Sequence, residues 1–321
     1  MLPVKPSSRA AFRRRLLAWY DANRRSLPWR NTRDPYKIWV SEIMLQQTRV
    51  AVVVEYYERF LRAFPDIKAL AGADEQAVLA QWSGLGYYRR GRMLHAAAKQ
   101  LAAKNKQMPR SAEDLRELSG IGRYTAAAIA SIAFGEPSAV VDGNVERVLL
   151  RMLGKDKTGS VDFWPRAQVL IDADRPGDFN QAMMELGATV CLPKNPACKA
   201  CPIRRWCVTR GEHKTSKPPV RRTAKISYVI AVRGGNIALT QRPQTARLMP
   251  GMWELPQVAR VPRTKPLFTL RHSITTTDYV VSIWRGRPSK GSVQSNVTQA
   301  AKLPLTGLTR KILQRLSLLQ S

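Results

Sequence analysis

Acidic residues are scarce in this sequence, since 23 Asp and Glu stand against 53 Lys and Arg in a chain of 321 residues. The resulting formal net charge of +30 favours a densely anionic partner, and nucleic acid is the most common partner of that kind. The shortage is greatest from Lys225 onward, where 15 basic residues accompany two acids, Glu254 and Asp278. That region therefore has too few carboxylates for a hydrolase site that holds several divalent metals.

Long apolar runs are also missing. No run of 18 apolar residues occurs, so we expect no membrane span. Residues 1–6 lack the apolar core of a signal peptide, and we expect a cytoplasmic protein, associated with the nucleoid if the source is bacterial. The length of the chain allows two domains.

Cysteine is rare, and its four copies lie within 17 residues, at Cys191, Cys198, Cys201 and Cys207. Four thiols this crowded in a cytosolic chain indicate one metal centre rather than disulfides. Structural zinc sites usually have two short Cys-x-x-Cys pairs, and this sequence has one. Four thiolates on a compact loop also suit an iron–sulfur cluster. The residue chemistry alone does not decide between a zinc site and an iron–sulfur cluster.

The spacing of apolar residues divides the chain into two regions. Up to Cys207 it is helical, with stripes such as Phe12 to Tyr20 and a second one from Glu42 through Phe60. Residues 213–224 are basic and contain two prolines, as linkers often do. Beyond them, β-rich runs, a Gly234-Gly235-Asn236 hairpin signal and a final helix, Leu308 to Leu319, predict an α+β domain. We therefore expect domains at 1–212 and 225–321.

A glycine-containing turn opens an alanine-rich helix within residues 118–134. Gly120 and Gly122 would let the backbone approach a ligand closely, and the free N–H groups of a helix start bind phosphate oxygens. An ordinary helix–helix turn would have the same sequence.

Two acids, Glu42 and Asp142, stand beside apolar residues in the sequence. Burial would raise the pKa of Glu42 and keep it protonated, and paired carboxylates cleave glycosidic bonds, although either acid could instead be a helix cap or ion-pair partner.

Several ordered segments resemble MutY-type adenine glycosylases of the endonuclease III, or helix-hairpin-helix, superfamily. The resemblance extends over about two-thirds of the chain, and its segments are residues 27–30, LPWR; 34–37, DPYK; 41–48, SEIMLQQT; 82–88, WSGLGYY; 140–148, VVDGNVERV; 179–184, FNQAMM; and the cysteine loop, 191–207. The resemblance implies an all-α helix-hairpin-helix DNA glycosylase domain with an iron–sulfur loop at 191–207 that holds a 4Fe–4S cluster. Residues 241–243 and 251–256 similarly resemble the family's C-terminal Nudix-like domain.

The resemblance also implies roles for individual residues. Glu42 would protonate adenine and later activate water, and Asp142 would stabilise the sugar intermediate with help from Tyr124 and Asn144. The adenine pocket would be lined by Trp29, Arg30, Leu45 and Gln181. The residues expected on DNA are Gln46, Gln47, Thr48, Tyr87, Gly120, Gly122 and Thr275. The four cysteines would be the ligands of the cluster.

This sequence departs from the family at three places. Tyr124 stands where strand-cleaving relatives have a lysine, so no amine is available for a Schiff base. Glu146 occupies a position that is often basic or neutral. The loop that reads Phe-Ser-His in the family corresponds to Ile274, Thr275 and Thr276 within 272–276, where only a hydroxyl is kept.

The sequence therefore predicts a monofunctional glycosylase that removes adenine opposite 8-oxoguanine or guanine in double-stranded DNA. We expect a monomer with no membrane partner. A bifunctional pyrimidine glycosylase is disfavoured by Tyr124 and by the Nudix-like tail. A non-catalytic iron–sulfur DNA-binding protein is disfavoured by the presence of both Glu42 and Asp142.

Overall fold

The computed structural model describes residues 4–105, 107–154, 161–212, 220–258, 262, 264–287 and 291–319. The chain forms two compact units. The first combines Met1–Leu61 with Ala96–Lys217, and the second combines Arg62–His95 with Pro218–Ser321. This grouping assigns Arg62–His95 differently from the expected division at 1–212 and 225–321, which stays a prediction. Of the expected linker, residues 213–219 lie outside the described residues, and a strand begins at Arg222.

Helices α1 to α11 precede the cysteine loop: Arg9–Asn23, Pro35–Leu45, Val50–Ala63, Ile67–Gly72, Glu75–Trp82, Arg89–Ala103, Ala112–Leu115, Arg123–Phe134, Gly143–Leu153, Trp164–Leu170 and Pro176–Thr189. Short 3-10 helices cover Pro6–Ser8, Pro28–Arg30, Cys198–Ala200 and Arg204–Trp206. No strand occurs in the described part of residues 4–212. The helical interpretation of this region is confirmed.

The apolar stripe predicted at helical spacing from Glu42 through Phe60 is divided between two helices. α2 ends at Leu45 and α3 begins at Val50. Between them Gln47 has a φ of 55°, in the left-handed region, where a right-handed helix cannot continue. The break matters because it separates the buried acid Glu42 from the exposed side chain of Gln47.

The core of the first unit brings α1, α9, α10 and α11 together. Phe12 of α1 contacts the rings of Phe179 and Trp206, with ring centroids 6.4 and 5.3 Å apart. Glycine allows α11 to approach its neighbours closely. A Cβ on Gly177 would lie 2.7 Å from the Cα of Ile132, and one on Gly187 would lie 2.5 Å from the Cβ of Asn144. Larger residues at these two positions would force the helices apart.

The second unit contains strands β1 to β7: Arg222–Ile230, Val232–Arg233, Asn236–Gln241, Trp253–Glu254, Phe268–Ile274, Thr277–Arg285 and Val293–Asn296. Helices α12, Val297–Ala300, and α13, Gly307–Arg315, follow. One sheet has the order β1-β6-β5, with β1 and β6 parallel and β5 and β6 antiparallel. In the other, β3 pairs with β2, β4 and β7. The α+β interpretation of this region is confirmed.

Two turns of this unit test local sequence signals. Gly234 and Gly235 have φ values of 54° and 75° and join β2 to β3, so the predicted hairpin is confirmed. The 272–276 segment was predicted as a loop, but its first three residues belong to β5 and pair with β6. The prediction of a loop is therefore wrong for 272–274, where the strand ladder continues, and confirmed for Thr275 and Thr276, which form the turn between Ile274 and Thr277. The final helix ends at Arg315, earlier than the predicted Leu319.

Within the described ranges, no helix is both long enough and apolar enough to cross a membrane.

Candidate active site

Glu42 is a buried acid on α2. Asp34 caps this helix by accepting a hydrogen bond from the N–H of Tyr36 at 2.9 Å, and Pro35 occupies its first turn. Glu42 is 5% exposed. Burial raises the pKa of this carboxyl from 4.5 to about 7, and the charge of Asp142 adds to the rise. The hydrogen bond from Tyr124 and the charge of Arg30 act in the opposite direction.

Tyr124 supplies the hydrogen bond that orients Glu42. It lies in the first turn of α8, two residues after Gly122, and its hydroxyl donates to Oε2 of Glu42 at 2.9 Å. The sulfur of Met184 on α11 lies 3.3 Å from the same hydroxyl. Burial and the nearby charge of Glu42 raise the pKa of Tyr124 well above its usual value. The phenol therefore remains a neutral donor at physiological pH.

Asp142 begins α9 and is held in one orientation by three donors. Its Oδ1 accepts from the backbone N–H groups of Asn144 and Val145 at 3.0 and 2.8 Å, and its Oδ2 accepts from the Asn144 side-chain amide at 2.8 Å. Arg147 fixes that amide by donating to its oxygen at 2.8 Å and to the carbonyl of Gly187 at 2.7 Å. The predicted partnership of Asp142 and Asn144 is therefore a direct contact.

A cavity of about 280 Å³ reaches Asp142. Its walls consist of two segments of the chain and are formed by Val141, Asp142, Gly143, Glu146, Val161, Asp162, Phe163 and Trp164. The guanidinium of Arg123 lies 4.1 Å from the ring centroid of Trp164 and supports that wall. None of the four residues predicted to line an adenine pocket borders this cavity.

Those four residues lie on three elements of the first unit. Trp29, in the 3-10 helix Pro28–Arg30, is buried and contacts the ring of Tyr57 edge-on at 5.4 Å. Leu45 is the last residue of α2, and Gln181 lies on α11, and both are half-buried. Arg30 is 8% exposed at its side chain, and its charge acts on Glu42.

Sequence reasoning missed the ion pairs that hold Arg30. Glu185 on α11 is 1% exposed and accepts from Arg30 at 2.7 Å and from Arg25 at 2.6 and 2.8 Å. Although burial opposes ionisation, the hydrogen bonds from Arg25 and Arg30 hold the pKa of Glu185 at about 2. A single glutamate on an apolar helix face carries no signal that two arginines from a distant loop will meet it.

The residues expected on DNA in the first unit surround two turns. Gln46 donates to the hydroxyl of Thr125 at 3.2 Å, whereas Gln47 is exposed and has a positive φ. Thr48 closes the turn by donating to the carbonyl of Gln46 at 3.3 Å. In the other turn, Gly120 has a φ of 76° and Gly122 caps α8 without a side chain. The first helix of the expected helix-hairpin-helix is α7, Ala112–Leu115, which lies before the expected 118–134 segment.

Two further DNA-binding candidates lie in the second unit. Tyr87 is 49% exposed and has a φ of 47°. Thr275 has a φ of 51° at the turn between β5 and β6. A β-branched residue in the left-handed region is conformationally strained, and such strain often occurs at functional turns.

The four cysteines are half-buried on one loop. Among the described residues, no three His, Cys, Asp or Glu side chains are placed closely enough to hold a metal ion together. The cysteines nevertheless lie within electrostatic reach of one another. Burial, with the charges of the other three, raises the pKa of Cys201 to about 11, and burial also raises that of Cys207. Arg151 donates to the sulfur of Cys191 at 3.3 Å. The four thiols lie on one loop, and the guanidinium beside Cys191 would stabilise the negative charge of a thiolate-bound centre there.

Comparison with known proteins identifies the class to which this arrangement belongs. Residues 40–162, which include Glu42, Tyr124 and Asp142, match the HhH-GPD superfamily of base excision DNA repair proteins. A thermostable thymine-DNA glycosylase shares the fold with a TM-score of 0.59 and 28% identity, over 64% of this chain and 97% of the other. A trapped endonuclease III–DNA covalent intermediate shares it with a TM-score of 0.54 and 24% identity, over 63% and 96%.

Curated relatives narrow the class. Adenine DNA glycosylase of Mus musculus is 41% identical in an alignment that covers 78% of this chain and 61% of the relative. The protein of the same name from Buchnera aphidicola of Acyrthosiphon pisum is 36% identical over 237 residues, which cover 70% and 68%. This chain belongs to the adenine DNA glycosylase family. It spans about 60% of the length of its mammalian relatives, with 61% for the mouse protein and 58% for the human one.

Proposed function

We propose that this protein is a monofunctional DNA glycosylase that removes adenine paired with 8-oxoguanine or guanine in duplex DNA. The observation that carries the proposal is the buried carboxyl of Glu42. Its pKa of about 7 leaves it substantially protonated at neutral pH, and Tyr124 orients it. A general acid is most effective when its pKa lies near the working pH.

In the proposed reaction Glu42 gives its proton to N7 of a flipped-out adenine. The bond between N9 and C1′ of the sugar then breaks, and its electron pair leaves with the base. The sugar becomes an oxocarbenium-like cation, which the carboxylate of Asp142 stabilises. Water adds to C1′ and returns its proton to Glu42. The three donors around Asp142 support this role because they fix one face of the carboxylate before the cation forms.

We further propose that the reaction stops at base removal. Strand cleavage in this superfamily begins with a lysine amine that forms a Schiff base with the sugar, and Tyr124 offers a phenol instead. The hydroxyl of Tyr124 is already committed to Glu42 at 2.9 Å. Its role is therefore to position the acid rather than to attack the sugar.

Cys191, Cys198, Cys201 and Cys207 would hold a 4Fe–4S cluster. The cluster would supply a structural anchor for the basic loop around it and would take no part in bond cleavage. The arginine beside Cys191 supports this assignment because a thiolate-bound cluster is anionic and a nearby guanidinium stabilises its charge.

The C-terminal region would have a Nudix-like fold and would bind DNA rather than hydrolyse nucleotides. Its two acids are already engaged. Glu254 accepts from Tyr228 and Arg242 at 3.0 and 2.8 Å, and Asp278 accepts from Arg221 at 2.9 Å. The exposed turn at Thr275 would offer its hydroxyl to the 8-oxoguanine opposite the adenine.

Duplex DNA would be held at three places. The N–H groups around Gly120 and Gly122 would bind a phosphate at the start of α8. Gln46, Gln47 and Thr48 would contact the strand beside the opposite base. Tyr87 would insert into the stack and offset part of the cost of flipping, which amounts to a few kcal/mol.

The test is an excision assay on a panel of duplexes. Purified protein is incubated with adenine placed opposite 8-oxoguanine, guanine, cytosine or thymine, and the product is split with or without hot alkali. We expect alkali-dependent cleavage on the first two duplexes only. Cleavage without alkali, or release of an oxidised pyrimidine instead of adenine, would favour a bifunctional pyrimidine glycosylase.

A further inference from the structure

The segment that carries Tyr87 has a conformation that needs external support. It connects α5, which ends at Trp82, to α6, which begins at Arg89. Gly84, Gly86 and Tyr87 have φ values of 107°, 75° and 47°. Glycine adopts such angles freely, but a tyrosine does so only where surrounding contacts compensate for the strain.

The first group of supporting contacts comes from the helices on either side. The indole N–H of Trp82 donates to the carbonyl of Gly86 at 3.2 Å, and the guanidinium of Arg90 donates to the same carbonyl at 3.1 Å. The Arg90 guanidinium also lies 5.6 Å from the Trp82 ring centroid and 5.5 Å from that of Tyr87. These contacts order the loop and leave half of the Tyr87 side chain exposed.

The second group comes from the C-terminal region of the same compact unit. Ser83 is fully buried, and its hydroxyl donates to the carbonyl of Leu305 at 2.7 Å. The phenol of Tyr88 lies 3.4 Å from that carbonyl and 3.4 Å from the N–H of Gly84. Arg310 of α13 donates from Nε to the Ser83 hydroxyl at 3.1 Å. The two residues that bracket the left-handed stretch, Ser83 and Tyr88, thus meet at one carbonyl.

That carbonyl belongs to a fixed part of the C-terminal region. The backbone of Trp253 in β4 donates to the carbonyl of Pro304 at 2.9 Å and accepts from the N–H of Thr306 at 2.8 Å. Thr306 caps α13 by accepting from the N–H of Thr309. A second connection lies nearby along α6, where Arg92 donates to the carbonyl of Pro250 at 2.7 Å. Hydrogen bonds therefore connect strand β4, the Thr306 cap of α13 and the segment that carries Tyr87 within one unit.

We propose that the C-terminal region positions Tyr87 for insertion into DNA, through the contacts of Ser83 with Leu305 and Arg310. The inference rests on the proposed function, in which Tyr87 is the residue that enters the base stack. It assigns the C-terminal region a part in base flipping on every mispair, beyond any reading of the lesion at Thr275. Ser83 and Arg310 are positioning residues that act through Tyr87 and do not touch the substrate.

The experiment compares Arg310→Ala and Ser83→Ala with a matched control, Lys311→Ala. Lys311 is the next residue of α13 and is exposed, so its loss removes the same charge without touching Ser83. Single-turnover excision is measured on adenine opposite guanine and opposite 8-oxoguanine, and flipping is followed by the fluorescence of 2-aminopurine placed at the adenine position. Thermal unfolding of each variant confirms that it is folded.

We expect Arg310→Ala and Ser83→Ala to slow excision by on the order of 10-fold on both mispairs, with a smaller fluorescence rise. Lys311→Ala should weaken binding slightly and leave the excision rate unchanged. In a Tyr87→Ala background, Arg310→Ala should cause little further loss, because a residue that acts through Tyr87 has nothing left to position.

The outcomes separate the inference from the function on which it rests. If Tyr87→Ala slows excision but Arg310→Ala and Ser83→Ala do not, the positioning role is wrong and the proposed wedge stands. If Arg310→Ala and Tyr87→Ala multiply their effects, Arg310 acts elsewhere and the inference is overturned. If Tyr87→Ala excises at the parent rate, both the wedge and its support are wrong.

Discussion

The helical region and the strand-containing region each bury a glutamate, and the two acids have different partners. Glu42 is 5% exposed and Glu254 is 7% exposed, so both lie out of water. Glu42 accepts a hydrogen bond from a neutral phenol, whereas Glu254 accepts from the guanidinium of Arg242 as well as from a phenol. Burial alone therefore does not make a general acid. A buried carboxyl becomes one when no cation bonds to it directly.

A third buried glutamate strengthens the comparison. Glu185 is 1% exposed, more deeply buried than Glu42, yet two arginines hold its pKa at about 2 while that of Glu42 rises to about 7. The difference corresponds to several kcal/mol in the preference for the charged form. Substitutions at these acids can show whether their partners, rather than their depth of burial, decide what each acid does.

The largest expected effect is that of Glu42→Gln. The amide keeps the shape of the side chain but has no acidic proton to give, so single-turnover excision should fall by about 100- to 10 000-fold. Binding to a mismatched duplex should remain within a few-fold of the parent, since the change lies at the reacting atoms. Glu254→Gln serves as the control in a buried glutamate of the other region, and it should excise adenine at the parent rate once folded.

Asp142→Asn should slow excision by on the order of 100-fold or more, because the neutral amide cannot stabilise a cationic sugar. The matched control is Asp66→Asn. Asp66 also caps a helix, α4, by accepting from the N–H of Ala69 at 2.8 Å. If both aspartate variants lose the same fraction of activity, the loss at Asp142 reflects a weakened helix start and not the missing charge.

Glu185→Gln should chiefly affect stability. The substitution leaves Arg30 buried without its anionic partner, which typically costs about 3–5 kcal/mol of the free energy of unfolding. Asp21→Asn breaks an ion pair with Arg175 in which both side chains are more than 40% exposed, and it should cost about 1 kcal/mol or less. Denaturant unfolding of the two variants measures the difference, and equal losses would show that burial of the pair is unimportant.

The smallest effect is expected for Thr275→Ala. Removal of one exposed hydroxyl should reduce the preference for adenine opposite 8-oxoguanine over guanine by about 2- to 10-fold, as the loss of one hydrogen bond does. Excision opposite guanine should not change. Thr276→Ala, the next residue of the same turn, is the control and should keep the parent preference.

The sequence predicted the helical and α+β regions because apolar periodicity is a local signal. Capping of a helix by Asp142 was only the alternative to its catalytic role, and the structure shows that Asp142 does cap α9. The break at Gln47 was missed because the apolar stripe on either side of it continues in phase. The strand pairing at 272–274 was missed for a similar reason, since a family loop was expected there. The pairing of Glu185 with Arg25 and Arg30 joins segments about 160 residues apart, and no local pattern encodes it.

The contacts of Ser83 with Leu305 and Arg310 could not be predicted from the sequence either. They join residues more than 200 positions apart, and a buried serine hydroxyl has no pattern of its own. The expected role of Tyr87 came from the resemblance, but the support for its backbone could come only from the tertiary structure. Local sequence signals thus predicted the helices and strands, whereas the partners that set the pKa values of Glu42 and Glu185 depend on tertiary packing.

The pH dependence of excision tests the central claim most directly. A general acid must be protonated, so single-turnover rates measured between pH 5 and 9 should be high at low pH and fall about tenfold per unit above a pKa near 7. The folded protein also retains this proton between pH 4.5 and about 7, where the unfolded chain loses it. Stability should therefore fall as pH rises across that window, and Glu42→Gln should remove this dependence. A rate that stays level from pH 5 to 9, or that rises with pH, would contradict the assignment of Glu42 as the acid.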